Sequence, residues 1–345
     1  MINKTSLRNF IFSAVYFLIS KEISYLLYLS KIESRVYNNG FYYLAKNLIS
    51  PDLRSDSFLF PFLVYIFNKD ISPENFYRLC TFILIISSTI IVFMFSQSKS
   101  LFDGFVIGSL LLISPVFLIQ KTWIGFPDHI TFLISIILIF VANKKRSRFH
   151  SFILIIVVLL GSWNHFYQFL IISFFILIIF SISENKIESN LFYLVFSSFI
   201  CGRLLSFLFF YIKDIPIQDE RLQIIQNTPI TEWIRIASKL PHFAILSFFQ
   251  GALFCILIIT FRKNLFILVI FALCYVVAIF TFDTSRIFTN LFYPSLIAHL
   301  YFSKKELFIS MKDKIIITSM IIFGFLYNLL IPIFYVWGEK LIFLK

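Results

Sequence analysis

The chain of 345 residues is 59% hydrophobic and only 14% charged, with a mean hydropathy of +0.89. This composition excludes a soluble globular domain and predicts an integral membrane protein with a single transmembrane domain over residues 1–345. The net charge of +12 does not indicate nucleic-acid binding, because the basic residues are scattered between apolar segments and lie mostly at their ends.

Apolar segments of the length that a bilayer requires recur along the chain. We count about eleven, which predicts an all-α polytopic membrane protein. The first segment is unusual, because the pair Lys21-Glu22 interrupts it and charge inside a membrane is costly. The predicted transmembrane helices are 9–29, 76–95, 101–120, 128–142, 151–163, 166–182, 190–212, 242–261, 265–281, 287–302 and 315–336.

The basic residues predict the orientation, since short cytoplasmic loops are enriched in Lys and Arg. With eleven spans, three basic loops and the N-terminus share one side, which we assign to the cytoplasm. The opposite side then holds the long loop 31–75 and the segment 213–241. The basic residues that carry this assignment are Lys4, Arg8, Lys144, Lys145, Arg146, Arg148, Arg262, Lys263, Lys304, Lys305, Lys312 and Lys314.

Both outer segments contain patterns typical of helices that lie along a membrane surface. In the loop 31–75, residues 35–49 predict an amphipathic interfacial helix. The run 57–67 that follows is apolar but too short to cross a bilayer. In the second outer segment, 213–241, a helical pattern covers residues 230–240.

Polar residues other than the basic clusters fall at the predicted outer ends of the spans. The simplest interpretation is one outward-facing site built from carboxylates, histidine and arginine. Its candidate members are Asp128, His129, Asn164, His165, Asp283 and Arg286, together with Glu33, Asp52 and Asp56 of the loop 31–75.

Each of these candidates also has a purely structural interpretation. Asp128 begins a span, where a carboxylate can cap exposed N–H groups, and both roles stay open. His165 lies among aromatic residues typical of the lipid-headgroup belt. Asp283 and Arg286 have the spacing of a helical ion pair, and the cost of such a pair at a span end favours function. Arg203, inside an apolar span, either snorkels, pairs internally or binds a lipid-linked phosphate.

Several motifs are absent from the sequence. It has no P-loop, GxSxG elbow, HExxH or glycine-rich dinucleotide turn, so nucleotide-driven pumping, serine hydrolysis and zinc proteolysis lack support. The five histidines show no metal-ligand spacing, and we predict no metal site. The four cysteines, without CxxC spacing, are interpreted as small core residues. They are Cys80, Cys201, Cys255 and Cys274.

Three short stretches resemble the GT-C superfamily of integral-membrane glycosyltransferases. YNNGFYYLAKNLISPDLRSDSFLFP at Tyr37–Pro61 is similar to a first outer loop with a helix of the form DG-x-Y-x-x-A and a following R-x-x-x-x-P run. GFPDHITFLI at Gly125–Ile134 resembles the PD opening of a later span. DTSRIF at Asp283–Phe288 resembles an acidic-x-x-Arg element near the C-terminal spans. The resemblance implies sugar transfer from a polyprenyl-phosphate donor to a cell-envelope glycan, lipid or protein.

One position departs from that pattern, since Asn38-Asn39-Gly40 stands where the family often has Asp before Gly. Asparagine cannot act as a base, so the resemblance implies that Asp56, Asp52 or Glu33 deprotonates the acceptor hydroxyl. Cationic groups would hold the departing lipid phosphate. The implied phosphate ligands are Arg286 and Arg203, then Lys121 and Arg54, and the implied pocket residues are Asp128, His129, His165 and Asp283.

The resemblance also implies where the protein works and with what. We expect the protein to lie in a bacterial inner (plasma) membrane, with its N-terminus in the cytoplasm and its active site facing the periplasm or exterior. The lipid-linked sugar is then a donor substrate rather than a resident cofactor, and participation of a divalent metal stays open. The expected partners are membrane lipid, the lipid-linked sugar and the acceptor, without nucleic acid.

Three other interpretations compete with this one. An envelope polysaccharide polymerase or ligase would join lipid-linked oligosaccharides, and usually has its largest outer loop late in the chain. A flippase or transporter would place polar groups near the bilayer midplane, often in broken helices and paired repeats. A structural scaffold would leave the outer charged residues without a shared site.

Overall fold

The computed structural model describes residues 4–28, 42, 57, 59–68, 70–122, 127–144, 147–184, 188–214, 226–239, 241–263, 265–281, 283–303 and 307–344. These residues form a helical bundle with one small sheet. The helices are α1 Lys4–Tyr28, α2 Leu59–Asn68, α3 Pro73–Ser98, α4 Leu101–Leu112, α5 Pro115–Thr122, α6 Asp128–Ala142, α7 Arg148–Glu184, α8 Ser189–Ile212, α9 Ile230–Lys239, α10 Pro241–Phe249, α11 Leu253–Lys263, α12 Phe266–Ile279, α13 Thr284–Phe302 and α14 Met311–Leu330.

Five of the described helices are long and apolar enough to cross a membrane. Three shorter apolar helices, α4, α6 and α12, accompany them. This confirms the predicted helical membrane protein. The five are Pro73–Ser98, Arg148–Glu184, Ser189–Ile212, Met311–Leu330 and the stretch Pro241–Thr260, which contains α10, the 3-10 turn Gln250–Ala252 and the first part of α11.

Helix α7 has two arms separated by a kink at His165, whose backbone leaves helical geometry (φ −161°, ψ 87°). A Cβ built on Gly161 would lie 2.0 Å from Cε1 of Phe169. In a straight helix these two residues would be about 12 Å apart along the axis, beyond the reach of a phenylalanine ring. The helix therefore bends sharply at His165 and divides into the arms 148–164 and 166–184, which overlap the predicted segments 151–163 and 166–182.

Helix α13 is the centre of the bundle, because all of its residues except Ile287 are buried. Helices α5, α6, α7, α10 and α12 pack around it. Aromatic rings fill part of this interface, including Phe248 and Phe288, which stack with their centroids 3.9 Å apart. Since lipid tails are as apolar as these side chains, close packing and polar contacts have to hold the helix in place.

The two ends of α13 lie in different surroundings. At its C-terminal end, Tyr301 makes a side-chain hydrogen bond with Asn143, and Lys99 donates to the carbonyl of Ser303. The loop that follows is fixed by Asp103, whose carboxylate accepts the backbone N–H groups of residues 307 and 308, each at 3.2 Å. Asn143 and Ser303, which adjoin two of the predicted basic loops, therefore lie at this end of α13, which we call the basic end.

Two predicted spans are interrupted in their middle. The segment 101–120 breaks at Ile113 and Ser114, between α4 and α5, and the segment 242–261 contains a 3-10 turn at Gln250–Ala252. Gln250 has φ 42°, which ends regular helical geometry there. The apolar character of these segments gave no sign of either break.

The C-terminus differs from the all-α prediction. The predicted span 315–336 ends at Leu330, and a β-hairpin of Ile333–Trp337 (β1) and Lys340–Leu344 (β2) follows. Pro332 disfavours a continued helix, the flanking residues are mostly β-branched or aromatic, and Gly338 has φ 55° in the two-residue turn. The sequence analysis missed this hairpin because an aromatic and aliphatic composition is also typical of a transmembrane helix.

Helix α14 touches the 3-10 turn through two glycines. A Cβ on Gly324 would lie 2.1 Å from the carbonyl oxygen of Gly251, so the backbones approach too closely for any side chain. We expect Gly324→Ala to destabilise the protein by about 1–3 kcal/mol. Thermal unfolding in detergent measures this, with the lipid-facing change Ala272→Val as control. Equal melting temperatures for both variants would contradict this packing.

Candidate functional site

Three buried charged residues meet at the end of α13 opposite the basic end. Arg286, in the first turn of α13, places Nε 2.7 Å from Oδ2 of Asp283 and 3.5 Å from Oδ2 of Asp128. The three residues are 5%, 6% and 2% exposed, respectively. We call them the charged cluster. Its formal charge is −1, because two carboxylates share one guanidinium.

Local sequence explains why these side chains converge. Asp128 is the first residue of α6 and Asp283 directly precedes α13, so each carboxylate lies where a helix dipole favours negative charge. The Asp283–Arg286 ion pair confirms the contact that its three-residue spacing predicted. The carboxylate oxygens of Asp128 accept no hydrogen bond within the described residues, which favours its ion pair over the capping role.

Buried carboxamides flank the charged cluster on two sides. Asn290 lies one helical turn after Arg286, and its Oδ1 accepts a hydrogen bond from Nε2 of Gln120 at 2.8 Å. Asn164 donates to the carbonyl of Pro127 at 2.8 Å and to Oγ1 of Thr131 at 2.9 Å. The sequence analysis missed Gln120 and Asn290. Their signal was the presence of amides in apolar segments, with Asn290 four residues after Arg286.

The β-hairpin covers this end of α13. The backbone N–H of Val336 donates to Oγ of Ser285, the neighbour of Arg286, at 2.8 Å. Gln250 donates from Nε2 to the carbonyl of Phe334 at 2.6 Å. Glu339, in the hairpin turn, forms ion pairs with Arg235 and Lys239 of α9. The hairpin therefore connects the surface helix α9 to the residue beside the charged cluster.

Helix α9 confirms the predicted helix in the second outer segment. Trp233 and Ile236 are buried on one face, while Ile230 and Ile234 are exposed. Its ion pairs with the hairpin place it at the same end of the bundle as the charged cluster.

Three further predicted site residues lie on α6, α7 and α8. His129 packs its ring edge-on against Phe60, with centroids 4.7 Å apart. His165 is buried at the bend of α7. Arg203 is half-buried on α8, with its guanidinium 4.7 Å from the ring of Phe166 and 4.6 Å from that of Phe207.

Other predicted residues lie outside the described part of the chain. Glu33, Asp52, Arg54 and Asp56 belong to this group, as does the predicted interfacial helix 35–49 apart from Tyr42. Tyr42 is buried, and its hydroxyl donates to the carbonyl of Ile71 at 3.1 Å. Lys121 lies in the last turn of α5, but its side chain is not described.

Metal-ligating residues do not converge in the described structure. No group of three or more His, Cys, Asp or Glu side chains there could hold a metal ion. The cysteines are free thiols: Cys80, Cys255 and Cys274 are buried as predicted, whereas Cys201 is exposed on α8.

Comparison with protein-family models, curated proteins and solved structures gives no match to this chain. The functional argument therefore rests on the residues and their geometry.

Proposed function

We propose that the protein is a membrane glycosyltransferase that moves a sugar from a polyprenyl-phosphate donor to a cell-envelope glycan, lipid or protein. The observation that carries this proposal is the buried charged cluster of Asp128, Asp283 and Arg286. Burying three ionised groups opposes stability unless they are well paired, and an excess carboxylate is not needed to hold helices together. Such an arrangement is typical of a site that uses a carboxylate.

Sugar transfer requires a base that removes the proton of the acceptor hydroxyl while its oxygen attacks the anomeric carbon. The bond between that carbon and the phosphate oxygen breaks, and the lipid phosphate leaves with the electron pair. Asp128 is the best candidate base among the described residues, because its contact with Arg286 is looser than that of Asp283. The loop residues Asp56, Asp52 and Glu33 remain the bases implied by the resemblance.

The departing phosphate needs a cation that is not already neutralised. Arg286 faces two carboxylates, so we assign it to positioning them rather than to binding phosphate. Arg203 has no ion pair with either carboxylate in the described structure and is half-buried over aromatic rings. A guanidinium oriented in this way suits a lipid-linked phosphate, with Lys121 and Arg54 as further candidates.

We also propose about eleven membrane crossings, with the basic end of the bundle in the cytoplasm. The charged cluster then faces the periplasm or exterior of a bacterial inner membrane. The end-to-end separation of the basic loops from the cluster supports this orientation, since positive residues are retained on the cytoplasmic side.

A lipid-linked glycan transporter is the second candidate function. The observation in its favour is the pair of interrupted segments, at Ile113–Ser114 and at Gln250–Ala252, because transporters commonly bind substrates at broken helices. An assay in sealed vesicles separates the two functions. An enzyme cleaves the sugar from its lipid phosphate, whereas a transporter moves the intact lipid-linked glycan across the membrane.

We expect Arg203→Gln to lower kcat/KM for the lipid-linked donor by about tenfold or more, with a loss in kcat, because the guanidinium stabilises the negative charge that develops on the departing phosphate. Kinetics with a short-chain polyprenyl-phosphate sugar measure this. Arg78→Gln, which removes an exposed arginine paired with Glu74, is the matched control. An unchanged kcat/KM in the Arg203 variant would remove this residue from the donor site.

A further inference from the structure

We infer that the carboxamides beside the charged cluster form a subsite for an uncharged, hydroxyl-rich ring, so that the transferred sugar is neutral rather than a uronic acid. The three carboxamides belong to Gln120, Asn164 and Asn290, on α5, the first arm of α7 and α13. This inference rests on the proposed function, which it deepens by naming the substrate class.

Each of the three carboxamides is only partly satisfied. Oε1 of Gln120, Oδ1 of Asn164 and Nδ2 of Asn290 are buried and have no hydrogen-bond partner within the described structure. The side chains themselves are 2%, 0% and 2% exposed. Leaving such atoms unpaired is unfavourable, so a ligand or water that pairs with them is expected.

The unpaired atoms match the chemistry of sugar hydroxyls. Two of them are acceptors and one is a donor, and a hydroxyl group can donate and accept at once. A carboxamide is uncharged and both donates and accepts hydrogen bonds. It therefore suits a neutral ring whose polar groups are hydroxyls.

The carboxamides are connected to the charged cluster from both sides. Asn290 follows Arg286 by one turn of α13, and it bonds Gln120. On the other side, Thr131 follows Asp128 by one turn of α6, and it accepts from Asn164. A ring held between the two carboxamide groups would lie beside the carboxylate that we propose as base.

The charge of the cluster determines which ring is accepted. The two carboxylates of the cluster would repel the carboxylate of a uronic acid, and this repulsion is strong where water is excluded. A neutral hexose or pentose carries no such penalty. We expect at least about tenfold weaker binding of a uronic acid donor than of a neutral one.

The alternative is that these amides only hold helices together, as amides between membrane helices often do. Asn9 provides the matched control, because it is buried near the basic end, donates to the carbonyl of Ser96 and also has an unpaired Oδ1. A general effect of losing a buried amide would appear in Asn9→Leu as well.

The test uses the purified full chain and the double variant Gln120→Leu/Asn290→Leu. Replacing both partners of a hydrogen bond by apolar groups leaves neither partner unpaired, so this variant should fold. Binding is measured as thermal stabilisation by a short-chain polyprenyl-phosphate hexose and by the matching uronic acid. We expect the hexose to stabilise wild type and Asn9→Leu, and to bind the double variant at least about tenfold more weakly.

Three results would overturn the inference: no stabilisation of wild type by neutral donors, equal or tighter binding of the uronic acid, or wild-type affinity in the double variant. Failure of the proposed function is distinguishable from these. Amide-dependent hexose binding without sugar transfer would retain the subsite and remove the enzyme. Sugar transfer at the wild-type rate by the double variant would retain the enzyme and remove the subsite.

Discussion

Arg286→Gln should destabilise the protein by about 3–5 kcal/mol, because it leaves two buried carboxylates without their cation. Both Asp128 and Asp283 are almost fully buried, and each forms an ion pair with Arg286. Unfolding in detergent, followed by heat or by denaturant, measures the loss.

Neutralising the carboxylates should restore the stability of this variant. In Arg286→Gln/Asp128→Asn/Asp283→Asn no buried charge remains, and removing an entire buried ion cluster is often neutral or stabilising. The matched control is Arg78→Gln on α3, which breaks an exposed ion pair with Glu74 and should cost about 1 kcal/mol or less. If the Arg286→Gln variant is as stable as wild type, the carboxylates of Asp128 and Asp283 do not depend on Arg286 for their stabilisation, which contradicts the proposed buried ion pairs.

Asp128→Asn should lower kcat for sugar transfer by about 10²–10⁴-fold, the range for loss of a catalytic base. Its stability should be retained, because the remaining Asp283–Arg286 pair has no net charge. Steady-state kinetics with a lipid-linked donor measure the effect. Glu232→Gln, an exposed carboxylate on α9, is the control and should leave kcat unchanged.

The same assay with Asp56→Asn decides between the two positions for the base. Loss of transfer in Asp128→Asn alone assigns the base to α6. Full activity of Asp128→Asn together with loss of activity in Asp56→Asn would assign the catalytic base to Asp56 in the loop 31–75, as the resemblance implies. Unfolding curves of each variant separate a catalytic effect from misfolding.

Much of the architecture was predictable from the sequence, because apolar length and basic loops reflect the demands of a bilayer. The pair 151–163 and 166–182 corresponds to the two arms of α7, and the Asp283–Arg286 contact follows from helical spacing. The surface helix α9 was predicted from its amphipathic pattern. These features depend on local periodicity and charge, which a single sequence displays.

The features that sequence analysis missed depend on contacts between distant segments. Gln120 and Asn290 are 170 residues apart and become partners only when α5 packs on α13. The C-terminal hairpin has the apolar composition of a membrane span, so composition alone does not distinguish its paired strands β1 and β2 from a transmembrane helix. The role of Arg203 as a phosphate ligand stays a prediction, and its described contacts are with aromatic rings.

The most direct test incubates purified wild-type protein and Asp128→Asn, each in proteoliposomes, with a panel of polyprenyl-phosphate sugars and envelope acceptors. We predict that wild type releases the lipid phosphate and transfers the sugar from at least one neutral donor, and that Asp128→Asn does not. Intact wild-type protein that consumes no donor, or that only moves lipid-linked glycan across the membrane, would contradict a sugar-transfer site at the charged cluster.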